Sequence, residues 1–224
     1  MRNMNTVNEE NAGDSAISKS RLEALVDGVF AFAMTLLVVG LSIPAIPKAD
    51  AATELPTYLA TMYPQFLSFI IAFFILAAFW VVHHEQFHFL RTVNKIVLWI
   101  NFLILIFVVL VPFSTNLSGE YSHVPIAPLV FHVNLLALGI LFFFQWQYIA
   151  HCPDLVKGPI NPVHVVDSLM QRSSTILAAA SGILLIFLNA PFSTMYLYMI
   201  FPIIMRILVW YRHSKWAKMN YRVT

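Results

Sequence analysis

Six apolar stretches, each close to the length that crosses a bilayer, constrain this chain more than any other feature. A transmembrane helix needs about 20 consecutive, mostly apolar residues. Six segments meet that requirement: Ser20–Ile43, Tyr58–Val82, Ile96–Phe113, Ile126–Ile149, Ser173–Leu188 and Met195–Tyr211. Backbone groups in lipid must pair within the protein, so such segments fold as helices. Of the 224 residues, 59% are hydrophobic and only 11% are charged, against about 25% charged in an average soluble domain. The expected fold is all-α: a polytopic membrane protein with six transmembrane helices per subunit.

Finer features follow from local chemistry. Pro64 lies inside the second segment and predicts a kink or a later helix start there, because proline cannot donate to the preceding turn. The last two segments are separated by Asn189-Ala-Pro-Phe-Ser-Thr194, which predicts a tight helical hairpin. The single cysteine, Cys152, excludes a disulfide framework within the chain. A net charge of +2 gives no reason to expect a nucleic-acid partner.

Orientation is legible in the basic residues. With six spans both termini share one side of the membrane, and that side holds every Lys and Arg except Lys48. The positive-inside rule makes it cytoplasmic, and five or seven spans would destroy the asymmetry. Residues 1–18 are polar, lack the pattern of a signal peptide, and are expected to form a disordered cytoplasmic tail. Residues 19–213 form the six-helix unit, and residues 214–224 a cytoplasmic C-terminal tail.

The first segment carries charge where lipid would not tolerate it. Arg21, Glu23 and Asp27 fall in its first turns, and ionisable residues at membrane depth face protein or water by default. At about 100° per residue, Leu25, Gly28, Phe32, Leu36, Val39 and Ile43 form one apolar stripe. Asp27 lies about 140° around from Phe32. Arg21 and Asp27 are about 120° apart and cannot pair as helix neighbours do, so each needs a partner on another helix or subunit. Such a helix suits the lining of a narrow pore. It also suits an interfacial arginine anchor with ordinary packing, and helix geometry alone leaves both readings open.

The second segment ends in Trp80-Val-Val-His83-His84-Glu85-Gln-Phe-His88. His84-Glu85-Gln-Phe-His88 matches the H-E-x-x-H zinc-protease pattern. An intramembrane metalloprotease would need a third ligand. Asp154 and Asp167 stand in no ligand motif, and Glu120 is on the opposite side. The preferred reading has these histidines hydrogen-bonding polar groups at the cytoplasmic helix ends, with no metal and no enzymatic activity. Asn101, His132, Asn134 and Gln145 are expected to hydrogen-bond between helices. No P-loop, no T-V-G-Y-G filter and no arginine ladder is present.

Arg21-x-x-x-Leu25-Val26-Asp27-Gly-Val-Phe-Ala resembles the R-x-x-x-F-S-D signature that opens the first helix of the transmembrane protein 175 family. Phe79-Trp80-x-x-His83-His84-x-x-Phe87 and Asn101-Phe-Leu…Pro112-Phe113 agree with it. The resemblance implies a homotetramer in a bacterial inner membrane, with a central pore lined by the first helix and K+ as the permeant ion rather than a cofactor. It implies a potassium-preferring, leak-like cation channel without a P-loop filter. By position, the apolar constriction falls on Phe32, Leu36 and Val39, flanked by Thr35 and Gly28. Arg21 and Asp27 map onto a polar network behind the pore helix, together with Asn101 and either His83 or His84. Leu25 and Val26 depart from the signature's Phe and Ser, which leaves a proton-conducting or poorly conducting member as the alternative.

Overall fold

The computed structural model describes residues 18–42, 44–188 and 194–220. Residues 1–17, Ile43, residues 189–193 and residues 221–224 lie outside them, and with them most of the expected hairpin turn. The described chain forms seven α-helices: α1 (Lys19–Val39), α2 (Ala51–Thr61), α3 (Tyr63–Phe89), α4 (Lys95–Glu120), α5 (Ile126–Ala150), α6 (Pro162–Phe187) and α7 (Leu197–Asn220). All but α2 contain a stretch long and apolar enough to cross a membrane; in α6 it is Val165–Phe187, and the last runs Thr194–His213. The protein is a multi-pass, all-α membrane protein.

Boundaries differ from the sequence expectation where polar or proline residues intervene. The second segment, expected from Tyr58, is divided at Met62 into α2 and α3, with Pro64 in the first turn of α3. That is where a proline costs a helix no hydrogen bond. The other end of α3 runs on to Phe89, so the whole histidine-rich run is helical. Pro112 does not end the third span, and α4 continues to Glu120. Only one carbonyl loses its donor at a proline, and the residues beyond it, Ser114, Thr115 and Ser118, are buried. α6 begins at Pro162, well before Ser173, because the Asn161 side chain caps it by accepting from Val163 N–H at 2.9 Å.

Helix α4 is the hub, packing on α1, α3 and α5, while α5, α6 and α7 pack in succession and α1 also contacts α3. The loops after α3 and α5 are joined by an isolated bridge between Leu90 and Val156. Lys19 Nζ donates to Leu90 O at 3.0 Å, tying the start of α1 to the same place. Asp167 of α6 is held by Arg212 and by His213 Nε2, the latter at 2.7 Å, fastening the end of α7. At the opposite end, His132 of α5 has Tyr198 Oη and Thr194 Oγ1 each 2.7 Å from a ring nitrogen.

Candidate functional site

Helix α1 has one face inside the subunit and one outside. Leu22, Val26, Phe30, Ala33 and Leu37 recur at helical spacing and are buried. The opposite side is open: Phe32 is 62% and Val39 72% exposed. Leu25 and Thr35 are exposed too, and a Cβ placed on Gly28 would meet no atom within 4 Å. Leu36 is half-buried and sits at the edge between the two faces. Thr35 Oγ1 donates to Phe32 O at 2.8 Å, so its hydroxyl is satisfied by its own helix while it stays on the open side. The result is a continuous apolar face that none of the described residues covers.

Behind that face, α1, α3 and α4 meet at a polar junction. Trp80 Nε1 donates to Asp27 Oδ1 at 2.8 Å, and the Trp80 ring stacks with His84 at a centroid distance of 5.8 Å. One residue earlier on α3, His83 points inward. Its Nε2 donates to Asn101 Oδ1 at 2.7 Å, and Asn101 Nδ2 donates back to Val97 O at 2.8 Å. The His83 ring stacks on Phe87 at 4.1 Å and lies 6.5 Å from Phe30 of α1. Adjacent histidines therefore do different work, because successive positions on a helix are about 100° apart.

Of the expected network, Asp27, His83, His84 and Asn101 gather at this junction, and Arg21 does not. Arg21 is exposed; its backbone N–H donates to Ser18 O at 3.0 Å, and its side chain bonds no other described residue of the subunit. Five helical turns of about 3.6 residues separate it from Val39, so it lies on the open side rather than behind it. Trp80 as the partner of Asp27 was not foreseen from sequence. Depth was the available signal: Asp27 lies roughly 12 Å from the start of α1, and Trp80 roughly 13 Å from the end of the oppositely directed α3.

The other polar residues divide. His132 bonds across helices, and Asn134 Nδ2 donates to Phe107 O at 3.3 Å and Ser114 Oγ at 3.2 Å. Gln145 departs from expectation: it is buried, and neither of its amide atoms has a hydrogen-bond partner among the described residues. His84, Glu85 and His88 are exposed. Among the described residues, no three His, Cys, Asp or Glu side chains are placed to hold a metal ion.

Comparison with known proteins coincides with this geometry. Residues 21–112, which carry both the open face and the junction, match the family described as endosomal/lysosomal potassium channel TMEM175. A potassium channel of Streptomyces collinus is 32% identical over 147 residues, covering 63% of this chain and 69% of that one. A potassium channel of Chamaesiphon minutus is 32% identical over 155 residues, covering 68% and 75%. The crystal structure of a lysosomal potassium-selective channel TMEM175 homolog from Chamaesiphon minutus superposes with a TM-score of 0.72 at 26% identity, over 85% of this chain and 97% of that one.

Proposed function

This chain belongs to the family of the endosomal/lysosomal potassium channel TMEM175, and we propose that it is a potassium-preferring, leak-like cation channel of a bacterial inner membrane. The observation that carries the reading is the uncovered apolar face of α1, with Phe32 and Val39 outermost. Four copies meeting along this face enclose a central pore, with Phe32, Leu36 and Val39 as its waist and Gly28 and Thr35 beside it. Ion passage is then set by an apolar constriction that wets and dewets, without a ring of backbone carbonyls. The junction of Asp27, Trp80, His83 and Asn101 sets the rotation of α1 that aims those side chains at the axis. The bias of Lys and Arg toward one side supports placing both termini on the cytoplasmic side.

The test is K+ efflux from liposomes holding purified protein whose tetrameric mass has been verified. Efflux down a K+ gradient is expected, and a verified tetramer without K+ flux overturns the reading. One observation favours a second reading. The serine of the family signature is replaced here by Val26, which is fully buried at 0% exposure, so a hydroxyl is missing from the contact of α1 with its neighbours. A reversal potential measured in opposed K+ and H+ gradients separates the two: it follows K+ on the first reading and H+ on the proton-conducting alternative.

A further inference from the structure

A cleft of about 500 Å³ opens between α3, α5, α6 and α7, away from the open face of α1. The volume falls in the range of roughly 300–1,000 Å³ typical of ligand pockets. Most of its wall is apolar, including Ile71, Phe74, Ala78, Tyr198 and Ile203. Phe74 and Ile203 are also exposed, so the cleft opens sideways, toward the surrounding lipid.

Charge sits at one end of this cleft, where Arg172, Arg206 and Glu85 line it. Arg172 and Arg206 lie at matched depth, each about 10 Å inside the cytoplasmic end of its span. Arg172 is only 6% exposed. Its guanidinium lies 4.4 Å from the ring centroid of Trp146, and its Nε has no hydrogen-bond partner among the described residues. Glu85 lines the same cleft as Arg172. Among the described residues no salt bridge joins it to either arginine. Two guanidinium groups and one carboxylate leave an excess positive charge at the head of an apolar slot.

We propose that this cleft binds an anionic phospholipid of the cytoplasmic leaflet, with an acyl chain along the apolar wall and the phosphate taken by Arg172 and Arg206. Guanidinium at this depth is unfavourable without an acceptor, and a phosphodiester supplies the oxygens that Arg172 lacks. The acyl chain accounts for the apolar walls, which a soluble anion would not use. Basic pockets between transmembrane helices on the cytoplasmic side recognise lipid headgroups in this way.

The experiment is native mass spectrometry of the purified full chain, delipidated and then supplied with phosphatidylglycerol or phosphatidylcholine. The wild-type protein is expected to retain phosphatidylglycerol about tenfold better, the scale of one or two basic contacts. Arg206→Gln, at an exposed position, should reduce that preference severalfold. Ala78→Trp fills the cleft without changing charge and should abolish retention. Equal retention of the two lipids, or undiminished retention in both variants, overturns the proposal. Displacement of phosphatidylglycerol by inorganic phosphate overturns it as well, in favour of a soluble anion. The readout is bound lipid rather than ion flux, so it succeeds or fails independently of the conduction reading.

Discussion

Trp80 of α3 donates its indole N–H to Asp27 Oδ1 of α1 at 2.8 Å, and this bond joins the two helices directly behind the open face of α1. Together with Lys19 Nζ on Leu90 O, it fixes how α1 is rotated. A turn of about 100° would exchange neighbouring positions between the buried and open sides. The orientation of Phe32 therefore depends on a contact made on the far side of its own helix.

Trp80→Phe removes that donor and keeps most of the ring that stacks on His84. A hydrogen bond to a charged group contributes about 1.5–3 kcal/mol in a favourable setting. Asp27 is exposed at the subunit surface, so about 1 kcal/mol is expected here. Thermal unfolding of the detergent-solubilised protein should show a lower midpoint for Trp80→Phe and a smaller change for Asp27→Asn, which keeps an acceptor oxygen. Equal midpoints for Trp80→Phe and wild type would show that the bond does not hold α1.

The two faces of α1 should respond oppositely to truncation. Phe32→Ala and Leu36→Ala shorten side chains of the proposed waist and should raise single-channel conductance severalfold while leaving stability nearly unchanged. Leu22→Ala truncates a buried side chain and should cost about 2–5 kcal/mol of stability. Planar-bilayer recording and thermal denaturation of the three variants measure both quantities. Unchanged currents in both waist variants would remove Phe32 and Leu36 from the pore.

His83 and Asn101 form a buried pair, so removing one partner strands the other. Asn101→Ala leaves His83 Nε2 without its acceptor, at about 1–3 kcal/mol. The loss should appear as a lower unfolding midpoint and as faster hydrogen exchange at the start of α4. Asn101→Ala with wild-type stability would mean that the pair is dispensable.

Gly182 of α6 lies flat against the His132 ring, and an added Cβ would overlap ring atoms. Gly182→Ala should force the imidazole off Tyr198 and Thr194, at about 1–3 kcal/mol. His132→Ala in the same background should make Gly182→Ala nearly neutral, because the overlapping ring is gone. A double-mutant cycle in thermal stability checks this, and additive effects would disprove the coupling.

Much of the architecture could be read along the chain. Long apolar runs located every span, because lipid admits few alternatives to a helix. The stripe through Phe32 and Val39 followed from spacing, but that it is the open side, with Leu22, Val26 and Phe30 buried opposite, came only from the packing. Helix ends were less legible. The early start of α6 at Pro162 and the extension of α4 past Pro112 carry polar residues, and those residues are accommodated by neighbouring helices that a hydropathy pattern does not contain.

The amino-acid order by itself determined the number of spans and the apolar stripe through Phe32 and Val39 on the first helix, because these depend on transfer from water to lipid one segment at a time. Only the tertiary structure decided that Asp27 meets Trp80, that His83 rather than His84 bonds Asn101, and that Arg21 stands apart on the open side. It also decided that Arg172 and Arg206 share one cleft. Each of these pairings joins different helices, and it is set by depth and rotation when the helices pack rather than by spacing along the chain.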